Sequence, residues 1–309
     1  MMRTATAFAP ATVGNVGVGF DLLGHAMVSV GDRVTVTRLE RRTVVVHCDS
    51  MTVPEDPATN TASAGLLRLI QDLNLSFGFD VVLEKGIPLG SGMGGSAASA
   101  AGAILAASRL LDEPISETEL LRYGMIGESV ATGSFHPDNL APCLLGSLVL
   151  ALGKDPLEVI RIPVPEALHC VVVHPKLRLD TRDARAVLPS HVRVPDFVTQ
   201  AGMLAGVIAG CYTNDLGLVG RWLQDMIVEP HRGPLVKGFA NVKDAALDGG
   251  ALGCSLSGSG PSLFAWCDGK AAGERVRDRM VAAFAESGVE SRGWVSPVSA
   301  PGARIEHEE

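Results

Sequence analysis

A glycine-rich segment, IPLGSGMGGSAASAAGA at Ile87 to Ala103, is the part of the sequence best suited to chemistry. Glycine lets a backbone approach a ligand closely and adopt conformations that a Cβ would forbid. The alanine run that follows predicts a helix, and the start of a helix offers unpaired N–H groups and the positive end of its dipole. A bare loop that leads into a helix therefore suits an anion, most often a phosphate.

Three other motifs overlap this segment. Gly90, Gly92 and Gly95 spell G-x-G-x-x-G, but a dinucleotide site needs a strand directly before the loop and another after the helix. Here the strand-like FDVVLE ends before the loop, and a second helical pattern follows Asp112. A Walker A loop needs Gly-Lys-Ser/Thr, which is absent. An acyl hydrolase built on Ser96 lacks the buried strand before the serine, although a spatial triad stays open.

Composition restricts the kind of partner. The chain has 309 residues, of which 47% are hydrophobic and 19% charged, and this balance indicates a compact protein large enough for two domains. The formal net charge of −8 disfavours a general affinity for nucleic acid or for acidic membrane surfaces. A phosphate must therefore be bound by local groups rather than by a basic surface.

The cysteines, histidines and apolar runs indicate a cytoplasmic protein without a membrane span. The cysteines form no C-x-x-C pair and are typical of small buried side chains in a reducing compartment. The histidines form no H-E-x-x-H motif, so a tightly held zinc ion has no support. The N-terminal segment does not resemble a signal peptide, and the longest apolar runs are too short to cross a membrane. The six cysteines are Cys48, Cys143, Cys170, Cys211, Cys254 and Cys267.

Hydrophobic periodicity predicts an α+β protein in two parts, residues 1–158 and 159–309, divided within the proline-rich segment Gly153 to Ala167. Strands are expected in RVTVTRLERRTVVVHC, FDVVLE, LHCVVVHP and SLFAWC. Helices are expected in NTASAGLLRLIQDLN, the alanine run, EPISETELLRYGMIGESV, VTQAGMLAGVIAGCY, LVGRWLQDMIV, VKGFANVKDAALDG and AAGERVRDRMVAAFAESG. Strands that alternate with helices in both parts favour layered α+β domains.

Two further glycine-rich turns are APATVGNVGVGFDLLGHA and GALGCSLSGSGPSLFAWC. Together with the first segment they resemble the three motifs of the GHMP kinases, named for galactokinase, homoserine kinase, mevalonate kinase and phosphomevalonate kinase. Because GESVATGSFHPDNLAP, DTRDARAVLP and EPHRGP also match, the chain is most similar to the homoserine kinase branch. The resemblance spans Ala9 to Cys267. Departures include Val18, where the family usually has Pro, and Gly95, where Ser is commoner and could touch phosphate.

The resemblance implies a two-domain fold with the site between the domains. The N-terminal domain would be like the second domain of ribosomal protein S5, and the C-terminal domain would be ferredoxin-like. It also implies the ATP- and Mg²⁺-dependent phosphorylation of the L-homoserine hydroxyl to O-phospho-L-homoserine, a step in threonine biosynthesis. Another GHMP kinase that acts on an isoprenoid alcohol or a sugar, and a nucleotide-binding relative without activity, stay open as alternatives. A homodimer is also left open.

The resemblance assigns one set of residues to ATP and the metal. Ser96 and Glu128 would be the Mg²⁺ ligands, since Mg²⁺ prefers hard oxygen donors. Each also has a simpler interpretation, as a helix N-cap and a solvated helix residue. Lys85 would reach the phosphates or be an ordinary surface lysine, and Asn60 would meet the adenine edge or form an Asx turn. The nucleotide-binding residues would be Asn60, Lys85, Pro88, Leu89, Gly90, Ser91, Gly92, Met93, Gly94, Gly95, Ser96 and Ala97.

A second set is assigned to the amino acid substrate. By resemblance Asp21 would bind the ammonium, and Arg185 and Arg232 would bind the carboxylate through their planar guanidinium forks. Ordinary surface ion pairs are the alternative for the two arginines. Asn15 would hold the reacting hydroxyl. The same pocket would be lined by His136, Asn139, Thr181 and Gly258.

The proton acceptor is the least defined part of the predicted site. Asp138 lies at or beside the position where mevalonate kinases are thought to use an aspartate base, so it is a candidate general base. The homoserine branch looks different, and the alternative is activation of the hydroxyl through Asn15, the metal and positioning, with late loss of the proton. Catalysis is thus assigned to Asn15, Ser96, Glu128, Asp138 and Asn139.

Overall fold

The computed structural model describes residues 2–48, 53–132, 137–153 and 157–309, which form two β-sheets with helices packed on them. The strands are β1 (Thr4–Gly14), β2 (Leu23–Leu39), β3 (Val44–Cys48), β4 (Gly78–Glu84), β5 (Leu148–Leu152), β6 (Glu158–Ile162), β7 (Leu168–Pro175), β8 (Gly253–Leu256), β9 (Leu263–Asp268), β10 (Ser291–Pro297) and β11 (Arg304–Glu308).

The helices lie between these strands. They are α1 (Thr61–Asp72), α2 (Gly95–Ser108), α3 (Glu117–Thr132), α4 (Pro137–Leu145), α5 (Thr181–Ala186), α6 (Val194–Tyr212), α7 (Leu216–Trp222), α8 (Glu229–Arg232), α9 (Phe239–Asp248) and α10 (Lys270–Glu286). A short 3₁₀ turn at Gly233–Leu235 follows α8.

The first sheet has seven strands in the order β11-β1-β2-β4-β3, with β5 and β6 added beside β2. The 17-residue strand β2 serves two partners: its start pairs with β5 and its end pairs with β4. Strand β3 runs parallel to β4. The expected pair of strands in RVTVTRLERRTVVVHC therefore exists, but β4 lies between its members, because α1 carries the chain over the sheet before β4 returns.

The second sheet is antiparallel with the order β10-β7-β9-β8. Numbered along its own domain this is 4-1-3-2, with helices after the first and third strands, which is the ferredoxin-like arrangement. The expected α+β fold with a ferredoxin-like C-terminal domain is confirmed. The change of sheet comes after Ile162 rather than at 158, because β6 pairs with β5, and β11 returns to pair with β1.

Strand β7 shows how the two domains share a core. Its alternate residues Cys170 and Val172 face the N-terminal domain, in one cluster with Phe264 and Trp266. Val171 and Val173 face the other way, in a second cluster with residues of α9 and α10. Side chains alternate between the two faces of a strand, so one sheet can seal both cores. The boundary that carries the site is therefore a packed interface.

The alanine run forms α2, which is buried on most of its surface. Its small side chains let the helix approach the first sheet closely, since a Cβ at Gly102 would collide with Val34. Ten of its fourteen residues are buried, so the helix is a rigid central element rather than an amphipathic surface helix. The loop before it is consequently held by a fixed support.

Two expectations about helices need correction. The helix expected in LVGRWLQDMIV ends at Trp222, because Asp225 accepts the backbone N–H groups of Ile227, Val228 and Glu229 and begins α8 instead. Helix α6 is long and apolar enough to cross a membrane, whereas the apolar runs of the sequence were expected to be too short for that. A single helix of this kind is weak evidence for a span, since core helices pass the same criterion.

Candidate active site

The phosphate loop has the backbone that only glycine adopts easily. Gly90, Gly92 and Gly94 have φ angles of 64°, 74° and 69°, in the left-handed region that side chains disfavour. Gly94 is the N-cap of α2 and supplies no side-chain capping bond. The first N–H groups of α2 therefore lack a protein cap, and they lie at the positive end of the helix.

Four consecutive carbonyl oxygens anchor this loop to β1 and to the C-terminal domain. Gly92 approaches the third glycine-rich turn so closely that a Cβ would collide with the carbonyls of Ser257 and Gly260. The loop is thus clamped between the two domains through its carbonyls, while within the loop the Met93 N–H donates to Ser91 Oγ at 3.3 Å. The four bonds are Thr12 N to Met93 O at 3.1 Å, Ser257 Oγ to Gly92 O at 2.8 Å, Ser262 N to Ser91 O at 3.2 Å, and Leu179 N to Gly90 O at 3.4 Å.

The chain path also decides between the competing motifs. Strand β4 ends at Glu84, well before the loop, and α2 is followed by α3 rather than by a strand. This is neither the dinucleotide-binding arrangement nor a nucleophile elbow. Ser96 lies in the first turn of α2, and its hydroxyl donates to the carboxyl group of Glu128 rather than to a histidine, unlike the serine of a Ser-His-Asp triad.

Ser96 and Glu128, the predicted metal ligands, are in contact. Ser96 Oγ donates to Glu128 Oε1 at 2.9 Å, and Glu128 Oε2 has no hydrogen-bond partner among the described residues. Glu128 is 4% exposed. Burial raises the pKa of its carboxyl to about 8, while the Ser96 hydrogen bond acts in the opposite direction. A buried carboxyl with an unpaired oxygen, beside a hydroxyl at the phosphate loop, is a donor set that fits a hard divalent cation.

Lys85 has a different environment from the one expected of a free point charge. Its ammonium forms an ion pair with Asp32 and donates to Gly95 O at 2.8 Å and Ser99 Oγ at 2.9 Å. An ammonium has three donors, so these partners use all of them. Asp32 also accepts from the N–H groups of Gly86 and Ile87. A contact from Lys85 to a phosphate would require one of these bonds to be given up.

Asn15 connects the first and third glycine-rich turns. It has a φ of 67°, its Nδ2 donates to Gly258 O at 2.7 Å, and its Oδ1 accepts from Asp21 N at 2.9 Å. Its own N–H donates to Asp138 Oδ2 at 3.1 Å. A single 8% exposed amide thus joins the turn after β1 to the second domain and to α4. Gly258 donates its N–H to Gly14 O, which closes the junction.

The predicted substrate charges meet around this junction. Arg185 Nη2 donates to Asp21 Oδ1 at 2.7 Å, and the two side chains are 35% and 37% exposed. Arg232 is 2% exposed, and its Nε donates to Ala184 O at 2.8 Å. Burial lowers the pKa of the Arg232 guanidinium to about 10, and the charge of Arg185 adds to this effect. Arg232 is thus a buried cation, whereas Arg185 forms a partly exposed ion pair.

Asp138 and Asn139 lie at the start of α4, against the glycine turn. Asn139 Oδ1 accepts from Thr12 Oγ1 at 2.8 Å, and its Nδ2 donates to Asp138 Oδ2 at 3.2 Å. Asp138 is 2% exposed, and its Oδ1 has no partner among the described residues. Burial and the negative charge of Asp21 raise the pKa of the Asp138 carboxyl to about 7. This carboxyl can therefore exchange a proton near neutral pH.

Three further predicted residues, Asn60, His136 and Thr181, have different outcomes. Thr181 lies at the site, with its hydroxyl 3.3 Å from that of Ser259. Asn60 caps α1: its side chain accepts from Ala62 N and donates to Pro54 O, so the alternative role as an Asx-type cap is the one observed. His136 lies outside the described residues. Sequence reasoning missed Thr12, which no motif signal distinguishes from other strand threonines.

Comparison with known proteins agrees with this geometry. Family models for the GHMP kinase N-terminal domain and the GHMP kinase C-terminal domain match residues 60–147 and 207–286. Homoserine kinase from Xylella fastidiosa (strain M12) is 48% identical over 304 residues, which cover 97% of this chain and 94% of that protein. The chain belongs to the homoserine kinase family of the GHMP kinases. It is accordingly a phosphotransferase, and the dinucleotide-binding and acyl hydrolase interpretations are discarded.

Other relatives extend the family assignment. Homoserine kinase from Chlorobium phaeovibrioides is 44% identical over 319 residues, covering 98% of this chain and all of that protein. A crystal structure of homoserine kinase from Cytophaga hutchinsonii superposes with a TM-score of 0.95 at 41% identity, over 99% of this chain and 98% of that chain. Mevalonate kinase from L. major, solved with R-mevalonate, has a TM-score of 0.68 at 14% identity over 97% and 98% of the two chains, and shares the fold alone.

Proposed function

We propose that this kinase transfers the γ-phosphoryl group of ATP to the side-chain hydroxyl of L-homoserine and forms O-phospho-L-homoserine for threonine synthesis. The observation that carries the proposal is the grouping of Asp21, Arg185 and Arg232 at the junction of the three glycine-rich turns. A zwitterionic amino acid needs one anion and at least one cation, whereas a neutral sugar needs neither and mevalonate, a carboxylate without an ammonium, has no use for the anion. The relatives named homoserine kinase support the same substrate.

In this mechanism the phosphate loop holds the triphosphate by backbone groups. The N–H groups at the start of α2 face the charge that spreads over the γ-phosphoryl oxygens in the transition state. Gly95 carries no hydroxyl, so donors at that position come from the backbone. The clamped carbonyls of Gly92 and Met93 keep the loop from reorganising when ATP binds, which lowers the cost of stabilising the transferred group.

Ser96 and Glu128 would hold Mg²⁺, and the unpaired Glu128 Oε2 supports this assignment. The cation neutralises phosphate charge when it is bound. The described residues contain no group of three or more His, Cys, Asp or Glu side chains that could hold a metal ion, so phosphate oxygens and waters would supply the remaining ligands. Glu128 would hold the cation as a carboxylate, so metal binding would release the proton that burial favours in the free protein.

The substrate would exchange partners with an existing ion pair. In the free site Asp21 and Arg185 neutralise each other. The homoserine ammonium would take Asp21, and the carboxylate would take Arg185 together with the buried Arg232. A substrate with one charge would leave one member of the pair without a partner in a half-buried site, which is unfavourable. Asn15, already bonded to Asp21 N, would set the distance between this end and the hydroxyl.

For the proton we propose Asp138 as the general base. Its unpaired, buried Oδ1 and its pKa of about 7 suit a group that accepts a proton near neutral pH. Asn139 and the N–H of Asn15 hold the other oxygen in place. If the proton leaves late in a loose transition state instead, Asp138→Asn should keep most of the turnover rate.

An ADP-release assay across homoserine, mevalonate and galactose tests the proposed function directly. We expect turnover with homoserine and little with mevalonate, which has a carboxylate but no ammonium, or with galactose, which is uncharged. Equal turnover of mevalonate or galactose would replace this proposal with the isoprenoid or sugar kinase alternative. Binding of ATP without turnover of any of the three would favour a non-catalytic relative.

We further propose that the protein is a cytoplasmic homodimer joined through α6. The outward face of α6 carries Val194, Phe197 and Val198, which are 74%, 59% and 61% exposed. Asp196 is the one charged residue of this 19-residue helix. The helix therefore offers little charge to a strongly charged partner and favours an apolar one. Exposed contiguous apolar residues often mark an interaction surface, and a second copy of the chain offers the same apolar residues.

Sedimentation velocity tests the dimer. Val198→Arg should give monomers, while the control Val82→Arg, on exposed β4, should leave the dimer intact because Val82 is similarly exposed at 41% but lies away from α6. A wild-type monomer would refute the proposal. Co-sedimentation with phosphatidylcholine vesicles that is lost in Val198→Arg would assign the face to a membrane and would refute the dimer interface.

A further inference from the structure

Phe20 lies at the centre of the proposed substrate site, in the turn between β1 and β2. The guanidinium carbon of Arg185 is 5.4 Å from the centroid of its ring, and that of Arg232 is 5.1 Å from the same centroid. The next residue, Asp21, has a φ of 58° and takes Arg185 as its ion-pair partner. One aromatic ring thus contacts both cations of the site.

Two guanidinium groups around one ring repel each other, so some attractive contact must hold them close together. The pKa of Arg232 is lowered by burial and then by the charge of Arg185, so the repulsion acts on this pair. The negative face of an aromatic ring attracts a guanidinium, more strongly where water is excluded. A carboxylate that bridges two arginines needs both forks at a set spacing, and a rigid ring in contact with both cations can provide it.

We propose that Phe20 is a positioning residue that sets the spacing of Arg185 and Arg232 for the substrate carboxylate. This inference rests on the proposed function, in which the two arginines bind that carboxylate. Phe20 does not touch the reacting atoms. Its effect belongs to substrate binding, through the two cations that it orients.

The partners of Arg185 show when this role matters most. In the free site Arg185 is held by Asp21 and by the ring, and its Nε has no hydrogen-bond partner among the described residues. When Asp21 turns to the substrate ammonium, Phe20 is the contact that keeps Arg185 in place. Arg232 is different, because Nε and Nη1 also donate to Ala184 O and Gly258 O. Weakening the attraction between the Phe20 ring and the guanidinium groups should therefore raise the KM for homoserine mainly through Arg185.

Fluorinated phenylalanines at position 20 test this role, because they keep the shape of the ring while removing the negative charge of its face. Mono-, tri- and pentafluoro-phenylalanine can be introduced by stop-codon suppression. The homoserine KM should rise stepwise along the series, by about tenfold at pentafluoro-phenylalanine, in line with the loss of the partly buried cation–π contact to Arg185. The ATP KM and kcat should stay within about twofold.

Phe8 provides a matched control. Its ring is also contacted by two guanidinium groups, with Arg304 at 4.3 Å and Arg33 at 5.6 Å from the centroid. It lies on β1 where that strand pairs with β2 and β11. Pentafluoro-phenylalanine at position 8 should leave the homoserine KM unchanged, whatever it does to stability.

The outcomes separate this inference from the proposal beneath it. A flat fluorination series at position 20, with a raised KM in Phe20→Leu, would mean that only the shape of the ring matters and would overturn the inference. A rise in both the homoserine and the ATP KM would overturn it too, since the ring would then support the whole site. If Arg232→Ala leaves the homoserine KM unchanged, the carboxylate clamp fails, and the role of Phe20 fails with it.

Discussion

The two ends of the site handle charge in opposite ways. At the phosphate end, Glu128 Oε2 has no hydrogen-bond partner among the described residues, the N-terminus of α2 has no side-chain cap, and burial raises the pKa of Glu128 to about 8. At the amino acid end, Asp21 and Arg185 are already paired at 2.7 Å. The first end needs incoming charge before its groups are satisfied, whereas the second must exchange one ion pair for another.

This difference has consequences for binding and selectivity. An uncompensated site gains electrostatic stabilisation from any suitable cation and polyphosphate, so its selectivity rests on the shape of the loop. A paired site gains only from ligands that replace both of its partners. We therefore expect substitutions at the phosphate end to act on all substrates, and substitutions at the amino acid end to discriminate among them.

The largest expected effect is at the phosphate loop. In Gly94→Val the new side chain would collide with Thr12, and the valine backbone would have to adopt a φ of 69°. ATP binding should therefore fall below detection in calorimetry. Gly250→Val is the control, because Gly250 has a φ of 94° with nothing within 4 Å of an added Cβ. It introduces similar backbone strain away from the loop and should retain ATP binding. Normal ATP affinity in Gly94→Val would remove the loop from the phosphate site.

Next in size is the loss of the metal ligand. Glu128→Gln should raise the Mg²⁺ concentration needed for half-maximal ATP binding by about 100-fold or more. Mutation of residues that only contact a metal ligand already lowers metal affinity by about tenfold to 100-fold, and loss of the ligand itself should cost at least as much. Glu117→Gln, at the start of the same helix and exposed, should be unaffected. Because the amide keeps the size of the side chain, circular dichroism should match the wild type. An unchanged Mg²⁺ requirement would exclude Glu128 from the metal site.

Removing one arginine should produce the discriminating effect. Arg232→Ala should raise the homoserine KM by about 30-fold, since truncating one member of a desolvated charge pair costs about 2–5 kcal/mol. The ATP KM should change only a few-fold. Asp21→Asn should behave in the same way through the ammonium. Arg292→Ala is the control, because Arg292 also contacts an aromatic ring, that of Trp294, but belongs to β10.

If Arg232→Ala weakens the binding of ATP and of homoserine equally, the phosphate end and the amino acid end of the site are not independent. The contrast drawn between the two ends would then be wrong. A homoserine analogue without the ammonium sharpens the same test. It should bind poorly to the wild type and should bind no worse to Asp21→Asn, because that variant lacks the anion that the ammonium would have used.

The smallest expected effect is a pH dependence of stability. The pKa of Asp138 is raised from an ordinary carboxyl value to about 7 in the folded protein, so the folded state binds more protons than the unfolded state between about pH 4 and pH 7. Its contribution to stability is complete at low pH and is lost as the pH rises through that window. Asp138→Asn should therefore flatten the fall in urea unfolding free energy over this range. An identical slope in both proteins would contradict the raised pKa.

Much of the architecture could be predicted from local pattern. Strand LHCVVVHP and helix α2 follow from alternation and from the alanine run, and the three glycine-rich turns indicated the family. The end of α7 could not be predicted in this way, because Asp225 begins a new helix through a side-chain contact that periodicity does not record. The change of sheet after Ile162 was equally hidden, since β6 pairs with β5 rather than with its other neighbour in the chain.

By itself, the sequence determined which residues could do the chemistry: glycines that permit positive φ, oxygen donors at a helix start, and one anion with two arginines. The tertiary structure alone decided how these groups are paired. Lys85 is tied to Asp32, Asn15 to Gly258, and Arg185 to Asp21 across 164 positions of the chain. Residue type and spacing specify what a side chain can do, but which charges neutralise each other depends on burial and on contacts that only the folded chain creates.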